Sequence, residues 1–213
     1  MKNTASKGLY IGGKFTQATS GQHFTTINPA TGETLASIPI ADKGDVDAAV
    51  EAASAGFTVW SKMTGAQRGR ILMKAVNLLR MRNKEIAYVE VLDTGKPIKI
   101  ARAVDASRSV ANFRFFAEFS KDFHEQKFLM EDATNHVIFK PVGIAGLITP
   151  WNLPLYLLSW KIAPAIVMGN TVVAKPSELT PLTANLLAEV FDEVGLPAGV
   201  VNIVHGFGHE TGQ

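Results

Sequence analysis

Three short segments gather residue types that could handle a polarised or negatively charged ligand. Thr149-Pro150-Trp151-Asn152-Leu153-Pro154 sets an asparagine amide between two prolines. A carboxamide held that stiffly can donate to an oxygen on which negative charge develops. The same asparagine could instead cap the following helix while Trp151 packs beside it. Lys175-Pro176-Ser177-Glu178 places a carboxylate that could accept hydrogen bonds from ribose hydroxyls next to a lysine that could hold a hydroxyl or phosphate. An exposed loop with a surface ion pair is the plainer reading. Gly206-Phe207-Gly208-His209-Glu210-Thr211-Gly212 is a G-x-G-x-x-x-G turn, whose glycines could let backbone amides approach a pyrophosphate at a helix N-terminus. Its spacing departs from the usual dinucleotide fingerprint, and a tight turn entering a helix fits equally well.

The elements that must position these segments follow from periodicity and turn chemistry. Residues 9–40 alternate short runs, such as Phe24–Ile27 and Thr34–Ile40, with the turns Gly12-Gly13, Asn28-Pro29 and Thr31-Gly32, which predicts strands and hairpins. Asp45 is placed to cap a helix carrying Val46, Ala49, Val50, Ala53, Phe57 and Trp60 on one side. Further helices are expected over about 64–82, 83–93 and 97–122, the second stopped by Thr94-Gly95 with Pro97 behind it. Residues 127–140 read as extended, with a turn near Asp132–Asn135.

From Pro141 onward the pattern becomes strand (Val142–Thr149), helix from Pro154, strand (Thr171–Ala174), helix (181–194) and strand (Val200–Val204). That alternation predicts parallel strands with crossovers, hence an α/β fold with part of a doubly wound sheet, preceded by a helical segment and short strands. Ligands of such sheets bind beyond the carboxyl ends of the strands. All three chemistry-bearing segments fall at those ends. The organisation expected is therefore residues 1–126 as short strands and helices, 127–140 as a hairpin-like segment, and 141–213 as the parallel sheet.

Composition narrows the function classes. With 46% hydrophobic and 19% charged residues, the chain has the apolar content of an ordinary globular protein. A formal charge of +2 gives no global attraction to nucleic acid or an anionic membrane. Between Lys62 and Lys84 lie Arg68, Arg70, Lys74, Arg80 and Arg82 with no acid among them, and helical spacing puts them mostly on a solvated outer face. The N-terminus has no secretory pattern. The most apolar run, Leu153–Met168, carries Lys161 and Pro164 and is shorter than the ~20 residues of a spanning helix. Neither nucleic acid nor membrane is expected as a partner, and a cytoplasmic location is the default. There is no cysteine, which excludes disulfides, thiolate metal sites and a cysteine nucleophile within these residues.

TPWNLPL, WKIAPAIVMGNTVVAKPSE, GLPAGVVNIVHG and GFGHETG, in this order, resemble the aldehyde dehydrogenase superfamily, as do INPATGE and FTVWSKMTGAQRGRIL. The likeness runs from about Tyr10 to Gln213. SVANFRFFAEFS and TPWNLPLYLLSWKIAPA are most similar to the 2-aminomuconic and 2-hydroxymuconic semialdehyde branch. The resemblance implies a Rossmann-like sheet of that family's type and the family's chemistry. A cysteine thiolate attacks the aldehyde, hydride passes to NAD(P)+, and a glutamate-activated water hydrolyses the thioester.

It further implies roles for residues of this chain. Asn152 would donate to the oxyanion, and Lys175 and Glu178 would hold the adenosine ribose with Ser177 beside them. Ile148, Thr149, Pro150 and Trp151 would line the cofactor cleft, with Gly208 and Gly212 near the pyrophosphate. Lys161 matches a lysine that some members use in a proton relay, or is a snorkelling lysine on an apolar helix. Arg108 matches an arginine that grips a substrate carboxylate, or pairs with Asp105 in its own helix. Glu178 favours NAD over NADP, because a carboxylate repels a 2′-phosphate. The family's cysteine and base glutamate follow the glycine turn and are not among these residues. The chain is therefore expected to be an N-terminal portion that is inactive alone, completed by a C-terminal chain or belonging to a homo-oligomeric full-length enzyme. A non-catalytic nucleotide-binding or interaction module is the alternative.

Overall fold

The computed structural model describes residues 8–213. Four short strands open the chain: β1 (Leu9–Ile11), β2 (Lys14–Thr16), β3 (His23–Ile27) and β4 (Thr34–Pro39). Helices α1 (Lys43–Trp60), α2 (Gly65–Met81) and α3 (Asn83–Thr94) follow. A single turn, α4 (Ile98–Ile100), leads through a π-helical stretch (Ala101–Ala106) into α5 (Ser107–Asp122). A hairpin of β5 (Gln126–Leu129) and β6 (Thr134–Val137) precedes the alternating part: β7 (Ile144–Ile148), α6 (Pro154–Val167), β8 (Thr171–Lys175), α7 (Leu182–Glu193) and β9 (Val201–Ile203).

β7, β8 and β9 are parallel neighbours, with Ile148 opposite Lys175 and Ala174 opposite Ile203. This is the parallel α/β part of the sheet that the strand–helix alternation predicts. The sheet is wider than that alternation shows. β1 pairs antiparallel with β9, giving the order β2-β1-β9-β8-β7, and Gly12 N–H donates to the Asn202 side chain at 2.9 Å across the join. Only β3 and β4 make the separate hairpin expected of the N-terminal strands.

One core spans both parts of the chain. Tyr10, Trp60, Leu72, Leu79 and Phe113 pack with Leu155, Ile162, Val172, Phe191 and Val201. The Trp60 indole N–H donates to the Ile166 carbonyl at 2.6 Å, so this large side chain is buried with its polar group satisfied.

Two details correct the sequence expectations and a third refines them. The cap of α1 is Asp42, and Asp45 is its reciprocal partner: the Asp45 N–H donates to the Asp42 carboxylate, and Asp45 accepts from the Asp42 N–H. The stretch 97–122 is not one regular helix, because its first half winds through the π-helical turn. Two residues of the basic run are tied into the fold. Arg68 donates to the Val167 and Met63 carbonyls, and Arg82 bridges Glu85 and Glu189 at 2.8 and 2.6 Å. Arg70, Lys74 and Arg80 do face solvent.

Candidate active site

The parallel register places three loops side by side along one edge of the sheet. Thr149, Pro176 and Val204 directly follow the last residues of β7, β8 and β9. The Thr149 N–H donates to the Lys175 carbonyl at 3.2 Å, and the Val204 N–H to the Ala174 carbonyl at 3.0 Å. Farther out, the Thr180 hydroxyl donates to the Trp151 carbonyl at 3.3 Å, joining the first loop to the second. Asn152, Glu178 and Gly208 thus lie on loops leaving adjacent strands in the same direction.

In the first loop, Ile148, Pro150, Trp151 and Asn152 are exposed and Thr149 is buried with its hydroxyl unpaired. Asn152 does not cap α6. The capping position is Leu153, which has no side-chain cap bond, and Pro154 opens the first turn. The Asn152 carboxamide is therefore free of the structural duty that competed for it. Its backbone carbonyl accepts from Lys96 Nζ at 3.1 Å.

The second loop is not the exposed surface loop of the plainer reading. Lys175 is buried, and its ammonium donates to the Pro176 carbonyl at 3.2 Å and to Glu178 Oε2 at 3.3 Å, while the Glu178 side chain stays partly exposed. The Ser177 hydroxyl accepts from the Leu179 N–H at 3.2 Å, a local turn bond.

In the third loop the conformational demand for glycine falls on Gly206. Its φ is +147°, and a Cβ there would lie 1.9 Å from the Thr211 hydroxyl, which itself donates to the Ala41 carbonyl. Gly208 meets no protein atom that would exclude a side chain, whereas a Cβ on Gly212 would press on the Gly208 carbonyl. Residues 208–212 coil in turns, with the Glu210 and Thr211 N–H groups donating to the Phe207 carbonyl at 3.2 and 2.9 Å. Just before it, His205 is buried with Nε2 2.9 Å from the Asn185 side-chain oxygen, and burial followed by the nearby Lys175 charge lowers its pKa to about 3. His205 is therefore a neutral strut between the loop and α7.

Lys161 sits on the exposed side of α6, its ammonium donating to the Ile148 carbonyl at 2.6 Å. Arg108 is apart from the three loops in the chain, on the first turn of α5. It is exposed and does not pair with Asp105, whose partner is Lys96 at 2.7 Å.

The sequence reading missed the buried ionisable groups behind the first loop. Glu90 is pushed up to about 8, by burial and then by Asp105, against the lowering influence of Lys96, Thr183 and the Leu155 N–H. Burial raises Asp93 to about 7 although it accepts from Leu182 N–H and the Thr26 hydroxyl. Acidic residues in α3 look like surface groups in a helix of mixed polarity. The one available signal was their spacing, since Glu90 and Asp93 fall on the same face as Ile86 and Ala87.

The sequence model of the aldehyde dehydrogenase family matches residues 15–213. The chain belongs to the aldehyde dehydrogenase family. Among its curated relatives in that family, it is 44% identical over 208 residues to a 2-hydroxymuconic semialdehyde dehydrogenase of Pseudomonas sp., covering 95% of this chain and 43% of the relative. It is 45% identical over 206 residues to the 2-aminomuconic semialdehyde dehydrogenase of Homo sapiens, covering 96% and 42%. An aldehyde dehydrogenase from Bacillus cereus solved as an NAD+ complex superposes with a TM-score of 0.93 at 40% identity, over 97% of this chain and 43% of that one. The chain thus spans less than half the length of each of these three relatives. Among the described residues, no helix is long and apolar enough to cross a membrane.

Proposed function

We propose that this chain forms the cofactor-holding and oxyanion-stabilising part of an NAD(P)-dependent aldehyde dehydrogenase acting on a carboxylate-bearing semialdehyde. The observation that carries this reading is the alignment of the 149–152, 175–178 and 206–212 loops at the ends of three neighbouring parallel strands. The donor set suits a dinucleotide. Lys175 and Glu178 offer a cation and a partly exposed carboxylate to a ribose, with Ser177 adjoining. Ile148, Thr149, Pro150 and Trp151 form the wall of the cleft, and the buried, unpaired Thr149 hydroxyl is a spare polar group within it. Gly208, where the fold itself does not exclude a side chain, lets a pyrophosphate approach the backbone, with Gly212 behind it. The Glu178 carboxylate favours NAD over NADP.

An oxidised dinucleotide held by Lys175, Glu178 and the glycine turn would supply the hydride acceptor. Asn152 donates from its carboxamide to the carbonyl oxygen as that oxygen gains charge, an interaction stronger in the transition state than in the substrate. Lys161 spends its observed hydrogen bond on the Ile148 carbonyl, which supports an anchoring role at the end of β7 over a proton relay. Arg108, unpaired with Asp105, is available to grip the substrate carboxylate. The attacking thiol comes from sequence other than these 213 residues, which contain no cysteine.

The test is an NADH-formation assay on a muconic-type semialdehyde, with the chain alone and mixed with a C-terminal aldehyde dehydrogenase chain supplying the thiol. Turnover is expected only in the mixture. Asn152→Ala is expected to lower kcat by about 10²–10³-fold, the size of a lost oxyanion donor. Cofactor binding without turnover under every complementation would favour the non-catalytic module instead.

A further inference from the structure

A charged cluster lies behind the Thr149–Asn152 loop and takes no part in the roles above. Gly95, with φ +73°, closes α3 and turns the chain so that Lys96 points back into the molecule. The Lys96 side chain is 13% exposed. Its ammonium makes two contacts: 2.7 Å to Asp105, which is fully buried on the π-helical stretch, and 3.1 Å to the carbonyl of Asn152. Glu90, also fully buried, accepts from the N–H of Leu155 at 3.3 Å, in the first turn of α6. The segment carrying Asn152 is therefore gripped on both sides, at its own carbonyl by Lys96 and three residues later by Glu90. The Thr180–Trp151 bond holds the residue before it.

Such a cluster is a poor device for stability alone. Desolvating a lysine and its paired carboxylate costs more than packing apolar side chains of the same volume, so a buried ion pair is weak evidence of a stabilising role. Its value lies in direction. An ammonium anchored by a buried carboxylate is a donor fixed in space, and here its remaining contact is the backbone of Asn152. We propose that Lys96, held by Asp105 and backed by Glu90, is a positioning residue that fixes the Asn152 carboxamide at the end of β7. The π-helical stretch carries Asp105 to Lys96, which gives that departure from regular helix a function.

The proposal rests on the reading of Asn152 as the oxyanion donor, so the test has two arms. Removing Lys96 alone would strand Asp105, and the protein could fail to fold. The variant used is Lys96→Met with Asp105→Leu, which removes both charges and keeps the volume filled. In the first arm, NMR relaxation is measured on the 213-residue chain. The backbone order parameter of Asn152 is expected near ~0.85 in the parent and below ~0.6 in the double variant. Thr180 and the β8 amides should stay rigid. The Lys96 ammonium resonance of the parent should show protection from solvent exchange. An unchanged Asn152, or loosening spread evenly through the chain, overturns the proposal. In the second arm, the complemented enzyme carrying the double variant should lose kcat by at least ~10-fold, in the range of a lost charge-assisted hydrogen bond, with KM nearly constant. If Asn152→Ala abolishes turnover while the double variant retains full kcat, positioning by Lys96 is refuted and the functional reading stands. If Asn152→Ala leaves turnover intact, the functional reading fails, and the relaxation arm still decides whether Lys96 holds the loop.

Discussion

Glu90, Asp93 and His205 are the side chains through which solution pH reaches the interior. Glu90 and Asp93 have folded pKa values of about 8 and 7, well above the ordinary carboxylate range, because burial penalises their charged forms. Between roughly pH 4 and pH 8 the folded state therefore holds more protons on these two groups than the unfolded state does. Their contribution to stability is fullest below that window and is lost as pH rises through it. His205 acts in the opposite sense. Lowered to about 3, it contributes stability above the ordinary imidazole pKa that is lost as pH falls toward 3. The expected outcome is a urea midpoint that declines from pH 6 to pH 8.5, and Glu90→Gln should flatten much of that decline. A decline unchanged in Glu90→Gln would remove Glu90 as its source. At this scale the sequence was only half legible. Asn152, Lys175 and Glu178 stood out because polar groups at strand ends are conspicuous. Glu90, Lys96 and Asp105 did not, because a charged residue in a helical pattern or just after a helix stop looks solvated until the packing partner is known.

Among the elements, the turn after β9 offers the sharpest comparison. Gly206 and Gly208 looked alike in the sequence, as two glycines of one loop. The structure separates them: Gly206 adopts φ +147° with the Thr211 hydroxyl where a Cβ would go, and Gly208 meets no such obstacle. Gly206→Ala is accordingly expected to destabilise the fold by about 2 kcal/mol or more. Gly208→Ala should change stability by less than about 0.5 kcal/mol while weakening dinucleotide binding. Thermal melts and NAD+ calorimetry of the two variants check both statements. The helices and parallel strands of residues 141–213 were readable because their signals are local: β-branched runs, Pro154 at a helix start, Gly195 at a helix end. The attachment of β1 to β9 was not. Pairing Tyr10 with Ile203 joins segments from opposite ends of the chain, and no local pattern encodes that register. The π-helical turn at Ala101–Ala106 was hidden for a related reason, since its apolar spacing differs too little from that of a regular helix over six residues.

The whole molecule presents a sheet with unequal sides. β9 and β8 each have strand neighbours on both sides, whereas β7 has a single strand neighbour among the described residues, and Ile144 and Ile148 on it and Val142 just before it are exposed. Helical crossovers α6 and α7 lead from β7 to β8 to β9, and a doubly wound sheet grows next from its first strand. The free side of β7 is thus the expected seat of a further strand, which accords with relatives more than twice as long as this chain. The alternating α/β architecture and the common edge of the three loops were legible in outline because connection rules leave few ways to assemble such a pattern. The central claim is that those loops hold one dinucleotide, and amide chemical-shift mapping during NAD+ titration tests it most directly. The account predicts shifts concentrated at residues 148–152, 175–178 and 206–212, diminished in Glu178→Ala. Saturable binding whose shifts fall elsewhere, for example on the exposed basic face of α2, would contradict it.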